Sequence, residues 1–406
     1  MELNEEEKAM LAGAQGPARQ WAVEHQLQVG RYFGARDLVP IAQAHIMADT
    51  ESLGEAGILW LERWAALPVP ERRVRVPTTS DPRGTDFAAA ARLKHEPWMI
   101  EREKRAAAAL AALGVLMTDT CITYQTVMPP VFGEHLAYGD TGVVIYSNSI
   151  FGARSNFEGG PSAVAAALTG RTPRYGYHLD ECRRPSLLID LGWTPRDLNE
   201  WGALGGVVGR LAGDYWAVPL LLGVDRVPGS DEMKHFGAAA ASHGSLALFH
   251  IEGITPEARH LGDIGNLPAH PVGEAEIRAF QRSYGGPEDG ADVVVFAAPQ
   301  LSLVEMQSLA GLLDGRRATV PLFAATSPQV KADADRLGLS HRIEAAGGTV
   351  LSGMCFYNSY AREMAEASGW RRLASNSAKL VNILGGYGYR AILLSMAECV
   401  DLACKR

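Results

Sequence analysis

From residue 4 to 33, apolar positions recur every three or four residues, at Met10, Leu11, Ala14, Trp21, Val23, Leu27 and Val29. That is the spacing of a helix with one face against a core. Gly34 closes the stretch, and residues 38–46 (LVPIAQAHI) read as a strand running into a polar turn. Residues 54–67 then read as a helix, 72–79 as a strand, 98–113 as a charged, alanine-rich helix and 114–124 as a further apolar run. Such alternation predicts an α/β fold with largely parallel sheets covered on both faces.

The pattern repeats downstream. Residues 142–146 (GVVIY) read as a buried strand, with a helix beginning at the VAAAL run of residues 164–168. Residues 186–191, 217–224, 245–251, 291–299, 319–326 and 347–353 read as strands, and residues 202–213 (GALGGVVGRLAG) as a tightly packed glycine-rich helix or turn. Ser302 opens a helix with a capping-box sequence, SLVE. Glycine and proline clusters at 192–196 and 262–273 suggest three lobes, 1–190, 191–275 and 276–406.

A chain of 406 residues exceeds one ordinary core. Its apolar fraction of 47% and charged fraction of 21% are those of a soluble globular protein. A net charge of -8 argues against nucleic-acid binding, which calls for a basic surface. No apolar run approaches the roughly 20 residues of a membrane span. The acidic start, MELNEEEKAM, is unlike a secretory signal, so a cytoplasmic location is expected. The five cysteines, Cys121, Cys182, Cys355, Cys399 and Cys404, are scattered and form no CxxC pair.

Candidate chemistry concentrates in residues 147–163, SNSIFGARSNFEGGPSA, predicted as a strand-to-helix connection. Its four serines, two asparagines, arginine and glutamate exceed what a simple turn needs and predict a site for a small anion. Other predicted strand ends carry His45, Thr79, Asp81, Cys121, Glu134, His135 and His178. Walker and GxGxxG loops in strand-to-helix context, GxSxG elbows, HExxH helices and paired zinc ligands are missing, so no nucleotide cofactor is expected.

Several motifs taken together, LVPIAQAHI, VRVPTTSDPRGTD, TDTCITY, FGEHLAYGD, IYSNSIFGARSNFEGGPSA and GSLALFHIEGITPEA, resemble the large subunit of the aconitase X family. The similarity runs from about residue 3 to 258 and returns in ASNSAK, residues 374–379. The EGGPSA form of the central loop is more like the phosphomevalonate dehydratase branch than the cis-3-hydroxyproline dehydratase branch. The resemblance implies an aconitase-like fold, with three-layer α/β/α lobes around a central cleft. It also implies loss of water from a hydroxy acid and, since the chain ends at Arg406 without the family's small domain, a separate small subunit as partner. Family members hold iron or an iron–sulfur cluster on three cysteines. Cys121 and Cys355 match two of them, Ala298 stands where the third is expected, and Cys182 is a weak substitute.

Dehydration beside a carboxylate needs a base, an acid or metal for the departing hydroxide, and cations or amides for the developing charge. His45, Glu134 and His178 are the candidate proton-handling groups. Arg154 is the candidate anion clamp, with Lys379 as a second anion contact and Thr79, Asn148, Ser149, Asn156, Glu158 and Ser162 as further substrate-binding residues. The alternatives are a metal-free isomerase or cyclase on the same fold, and a non-catalytic subunit.

Overall fold

The computed structural model describes residues 1–47 and 49–404. In the first lobe the strands are β1 (Leu38–Pro40), β2 (Gln43–Ile46), β3 (Thr78–Ser80), β4 (Leu136–Tyr138) and β5 (Arg171–Pro173). Strands β3, β2 and β4 form a parallel sheet that sets His45 level with Thr79 on one side and Tyr138 on the other. Strands β1 and β5 pair antiparallel beside it. Helices Pro17–Tyr32, Thr50–Ala65, Pro97–Leu113 and Gly160–Thr169 pack on this sheet through Ala22, Leu61, Trp64, Leu110 and an almost wholly buried Ala163–Thr169 stretch.

The second lobe contains β6 (Leu187–Leu191), β7 (Pro219–Leu222), β8 (His250–Ile251) and β9 (Ala269–Val272), all parallel in the order β8-β7-β6-β9, so the boundary expected at 190/191 moves ahead of β6. Helices Leu198–Ala212 and Ser230–Gly244 cross closely there because glycine removes the side chains between them. A Cβ on Gly205 would overlap the Phe236 carbonyl oxygen, and one on Gly209 would lie 2.7 Å from that of Ala240. The expected tight packing is therefore a helix-on-helix contact.

The third lobe contains β10 (Val293–Leu301), β11 (Leu322–Thr326), β12 (Thr349–Ser352), β13 (Arg372–Ser375) and β14 (Arg390–Leu393). They form a parallel sheet in the order β12-β11-β10-β13-β14, buried on both faces. Alternate residues of β10 divide between two cores, Val294 and Phe296 to one and Val293, Val295 and Ala297 to the other. The first of these cores is continuous from Tyr138 and Ile145 through Trp201 and Phe249 to Leu309, so it runs through all three lobes. Ser302 caps its helix as expected.

Three local expectations are corrected. Residues 142–146 are not a strand but lie in helix Thr141–Tyr146, capped by Asp140, whose side chain accepts from the Val143 N–H at 2.9 Å. A short apolar run fits a buried helix as well as a buried strand, and burial against the helix Ser230–Gly244 decides it. Residues 4–33 form two helices, Glu5–Leu11 and Pro17–Tyr32, broken at Gly13 and Gly16, both at positive φ. The predicted strand at 72–79 shrinks to β3, preceded by the helical turn Val69–Arg72, and 114–124 contributes only a bridge from Leu116 to Thr79.

Candidate active site

Parallel strands gather their succeeding turns at one edge, and the carboxyl edge of β2, β3 and β4 brings together His45, Asp81 and Asp140. His45 Nδ1 lies 2.8 Å from Thr79 Oγ1, and its Nε2 lies 3.2 Å from Asp81 Oδ1. Burial, reinforced by the nearby Asp140 carboxylate, pushes the Asp81 carboxyl up to about 7. A buried acid in that range can hold or release a proton near neutrality.

The third lobe supplies the other half. After β13, helix Ala378–Leu384 presents Lys379, whose Nζ donates to Asp140 Oδ2 at 3.3 Å and lies 5.6 Å from the centre of the Tyr357 ring. Burial works against the charge of Lys379, but the Asp140 carboxylate, the largest opposing influence, outweighs it and raises the amine above its ordinary range. Cys121 and Cys355 are both buried free thiols. Burial, with Asp140 and Asp81, pushes the Cys121 thiol up to about 12, and burial raises Cys355 as well. Asp119 (φ 51) and Ala298 (φ 53) adopt the left-handed conformation on either side of this centre, the kind of backbone strain that collects at functional sites. Ile122 and Tyr124 wall a groove of about 480 Å³ with Tyr146, Asp231, Ser302 and Gln329.

Of the expected residues, His45, Thr79, Cys121, Cys355 and Lys379 thus share one buried centre. Others are set apart, for a topological reason. Glu134 and His135 precede β4 and so sit at its amino edge, where Glu134 accepts from the Val131 N–H in an exposed turn. His178 pairs with His135, Nδ1 to Nδ1 at 2.9 Å, and its Nε2 is buried without a partner. Burial, then His135 and Arg183, hold His178 well below its ordinary range.

The 147–163 segment folds differently from the predicted ligand loop. Residues Ser147–Phe151 continue the helix as a π turn that ends at Gly152, and 154–157 run beside β4 through bridges His135 to Arg154 and Tyr138 to Phe157. Arg154 is therefore also at the amino edge, paired with Asp180 and donating to the His178 carbonyl. The expected anion clamp thus stands apart from this centre, in an ion pair with Asp180. Asn148 uses its amide on Ser155 and Ala247, Ser149 accepts from the Phe249 N–H, and Asn156 bridges Tyr175 and Tyr177. These polar groups hold the segment to its neighbours. Glu158 is buried and accepts from Thr172, its carboxyl pushed up to about 7 by burial. Ser162 lies 2.9 Å from Nε2 of His25, which with Trp21, Leu53 and Trp60 lines an apolar cavity of about 550 Å³. Cys182 lies in the turn Asp180–Arg183, next to the pair Arg183–Glu257.

Asp140, Tyr357 and Gln300 were not anticipated. Asp140 had a signal, since an acid before a helix is a cap, but its contact with Lys379 spans 239 positions.

Family models for the first, second and third domains of aconitase X match residues 1–181, 185–282 and 291–405. The phosphomevalonate dehydratase large subunit of Thermococcus kodakarensis is 32% identical over 96% of each chain. That of Methanothermobacter thermautotrophicus is 32% identical over 95% of this chain and 94% of its own length. The cis-3-hydroxy-L-proline dehydratase of Hypocrea jecorina is 31% identical over all of this chain and 69% of its own length. The crystal structure of Thermococcus kodakaraensis aconitase X in its holo-form superposes with a TM-score of 0.90 and 32% identity, covering 99% of this chain and all of that one. With every lobe matched in order, the chain belongs to the aconitase X family.

Proposed function

We propose that this chain is the large subunit of a hydro-lyase that eliminates water from a small hydroxy acid. The observation that carries the reading is the buried centre itself, in which Lys379, Asp140, Asp81 and His45 converge from strand ends of two lobes. A base takes the proton next to the substrate carboxylate, and its C–H electron pair becomes the new double bond. The C–O bond breaks and hydroxide leaves with a proton, as water. The Asp81–His45 pair can handle a proton near neutrality, and Lys379 offers a fixed positive charge to the developing anion. Relatives named as large subunits support a small-subunit partner, and their dehydratase names support a phosphorylated hydroxy acid over hydroxyproline as substrate.

The test is to express the chain with its small-subunit partner and offer phosphomevalonate and cis-3-hydroxy-L-proline, following loss of water by mass. Conversion of phosphomevalonate is expected. Conversion of hydroxyproline alone reassigns the substrate, and conversion of neither overturns the reading.

A further inference from the structure

The family resemblance carries with it an iron or iron–sulfur group on three cysteines, and this chain offers two. Ala298, at the third position, packs in the same apolar cluster as Cys355. Two residues on, Gln300 donates its backbone N–H to Cys121 Sγ at 3.4 Å. A methyl group therefore stands where a third thiolate would. Nothing else takes its place, since no group of three His, Cys, Asp or Glu side chains among the described residues could hold a metal ion. Cluster sites use four protein ligands, or three with one iron left open. The residues present do not fit such a group.

Gln300 fills the junction instead. Its side-chain amide nitrogen, fully buried, shares its two N–H donors among the carbonyls of Asp119 at 3.2 Å, Thr326 at 3.3 Å and Met354 at 3.3 Å, while the amide oxygen is buried without a partner. Its backbone carbonyl accepts from Lys234 at 3.1 Å, and Lys234 is held in turn by Glu305 and Asp231. One side chain thus laces together the segment leading to Cys121, the end of β11 and the segment leading to Cys355.

We infer that in this chain Gln300 replaces a bound cluster as the tie between the two cysteine segments, and that the centre works without iron, with Lys379 as its fixed positive charge. The role given to Lys379 rests on the hydro-lyase reading, whereas the exclusion of a cluster does not.

The test uses the full chain, with its small subunit, from iron-fed cells, purified without oxygen and then offered ferrous iron and sulfide. Bound iron well below one per chain is expected, with no visible sulfide-to-iron absorption. A chelator is expected to move the unfolding midpoint by less than about 1 °C. Gln300→Ala is expected to lower that midpoint with or without chelator, and Gln300→Asn to lower it too, because the shorter amide cannot span all three carbonyls. Two or more irons per chain, with an absorption that Cys121→Ser or Cys355→Ser abolishes, would overturn the inference. Iron-free protein that dehydrates neither phosphomevalonate nor hydroxyproline would leave the exclusion of a cluster standing and count against the hydro-lyase reading instead.

Discussion

Lys379 and Asp140 form a buried pair whose members depend on each other. Removing one partner of such a pair leaves an uncompensated charge, at a cost of about 3–5 kcal/mol. Lys379→Met should therefore unfold more easily than the parent, while Lys379→Met with Asp140→Asn should recover much of the loss without recovering activity. Urea titrations and product assays on the three proteins check this. Glu158 makes a separate prediction. Its carboxyl is pushed from 4.5 up to about 7 by burial, so the folded state holds the proton more tightly than the unfolded chain does. The resulting stability is fully present below about pH 4.5 and is lost as pH rises through about 7. Glu158→Gln, which mimics the protonated form, should come within about 1 kcal/mol of the parent at pH 5 and exceed it by about 3 kcal/mol at pH 8. Equal curves at both values would show that Glu158 is ionised in the fold. At this scale the sequence was partly readable. Residue type marked His45, Cys121 and Lys379 as chemistry-bearing, but Arg154 and Glu134 carry equally suitable groups at the amino edge of β4, and only topology separates the two sets.

Helices Leu198–Ala212 and Ser230–Gly244 show what a glycine-rich stretch means when it is not a ligand loop. Gly205→Ala drives a Cβ into backbone, which cannot move aside as a side chain would. We expect a loss of about 2–3 kcal/mol there. Gly311→Ala, in the helix Leu303–Leu312 with nothing within 4 Å of its Cβ, should be neutral or gain a few tenths to about 1 kcal/mol from helix propensity. Paired thermal melts decide both. Elements with a clear period or a cap were legible, among them β6, β10, β11 and the helix opened by Ser302. The run at residues 142–146 was not, because every residue from Gly142 to Tyr146 is buried and a wholly apolar stretch has no period to read. That misreading carried over to the 147–163 segment, which was expected to follow a strand and instead extends a helix.

Across the whole molecule, the second and third lobes are joined by Lys234, a fully buried amine that meets Glu305 and the Gln300 carbonyl. Burial opposes ionisation of Glu305, but Lys234 and His235 hold its carboxyl down to about 2. The stability from this carboxylate is present above about 4.5 and is lost as pH falls toward 2. Lys234→Met should therefore cost about 3–5 kcal/mol at neutral pH, with partial rescue by Glu305→Gln, and should flatten the acid limb of the stability curve. An unchanged acid limb would show that the pair does not set it.

The centre draws His45, Asp81, Cys121 and Asp140 from the first lobe, and Gln300, Cys355, Tyr357 and Lys379 from the third. During synthesis the early lobe therefore leaves the ribosome with Asp140 lacking its lysine, and it must wait for more than two hundred further residues before Lys379 arrives. A two-fragment version, cut after the exposed Ser283, should regain a working centre only when both pieces are made together.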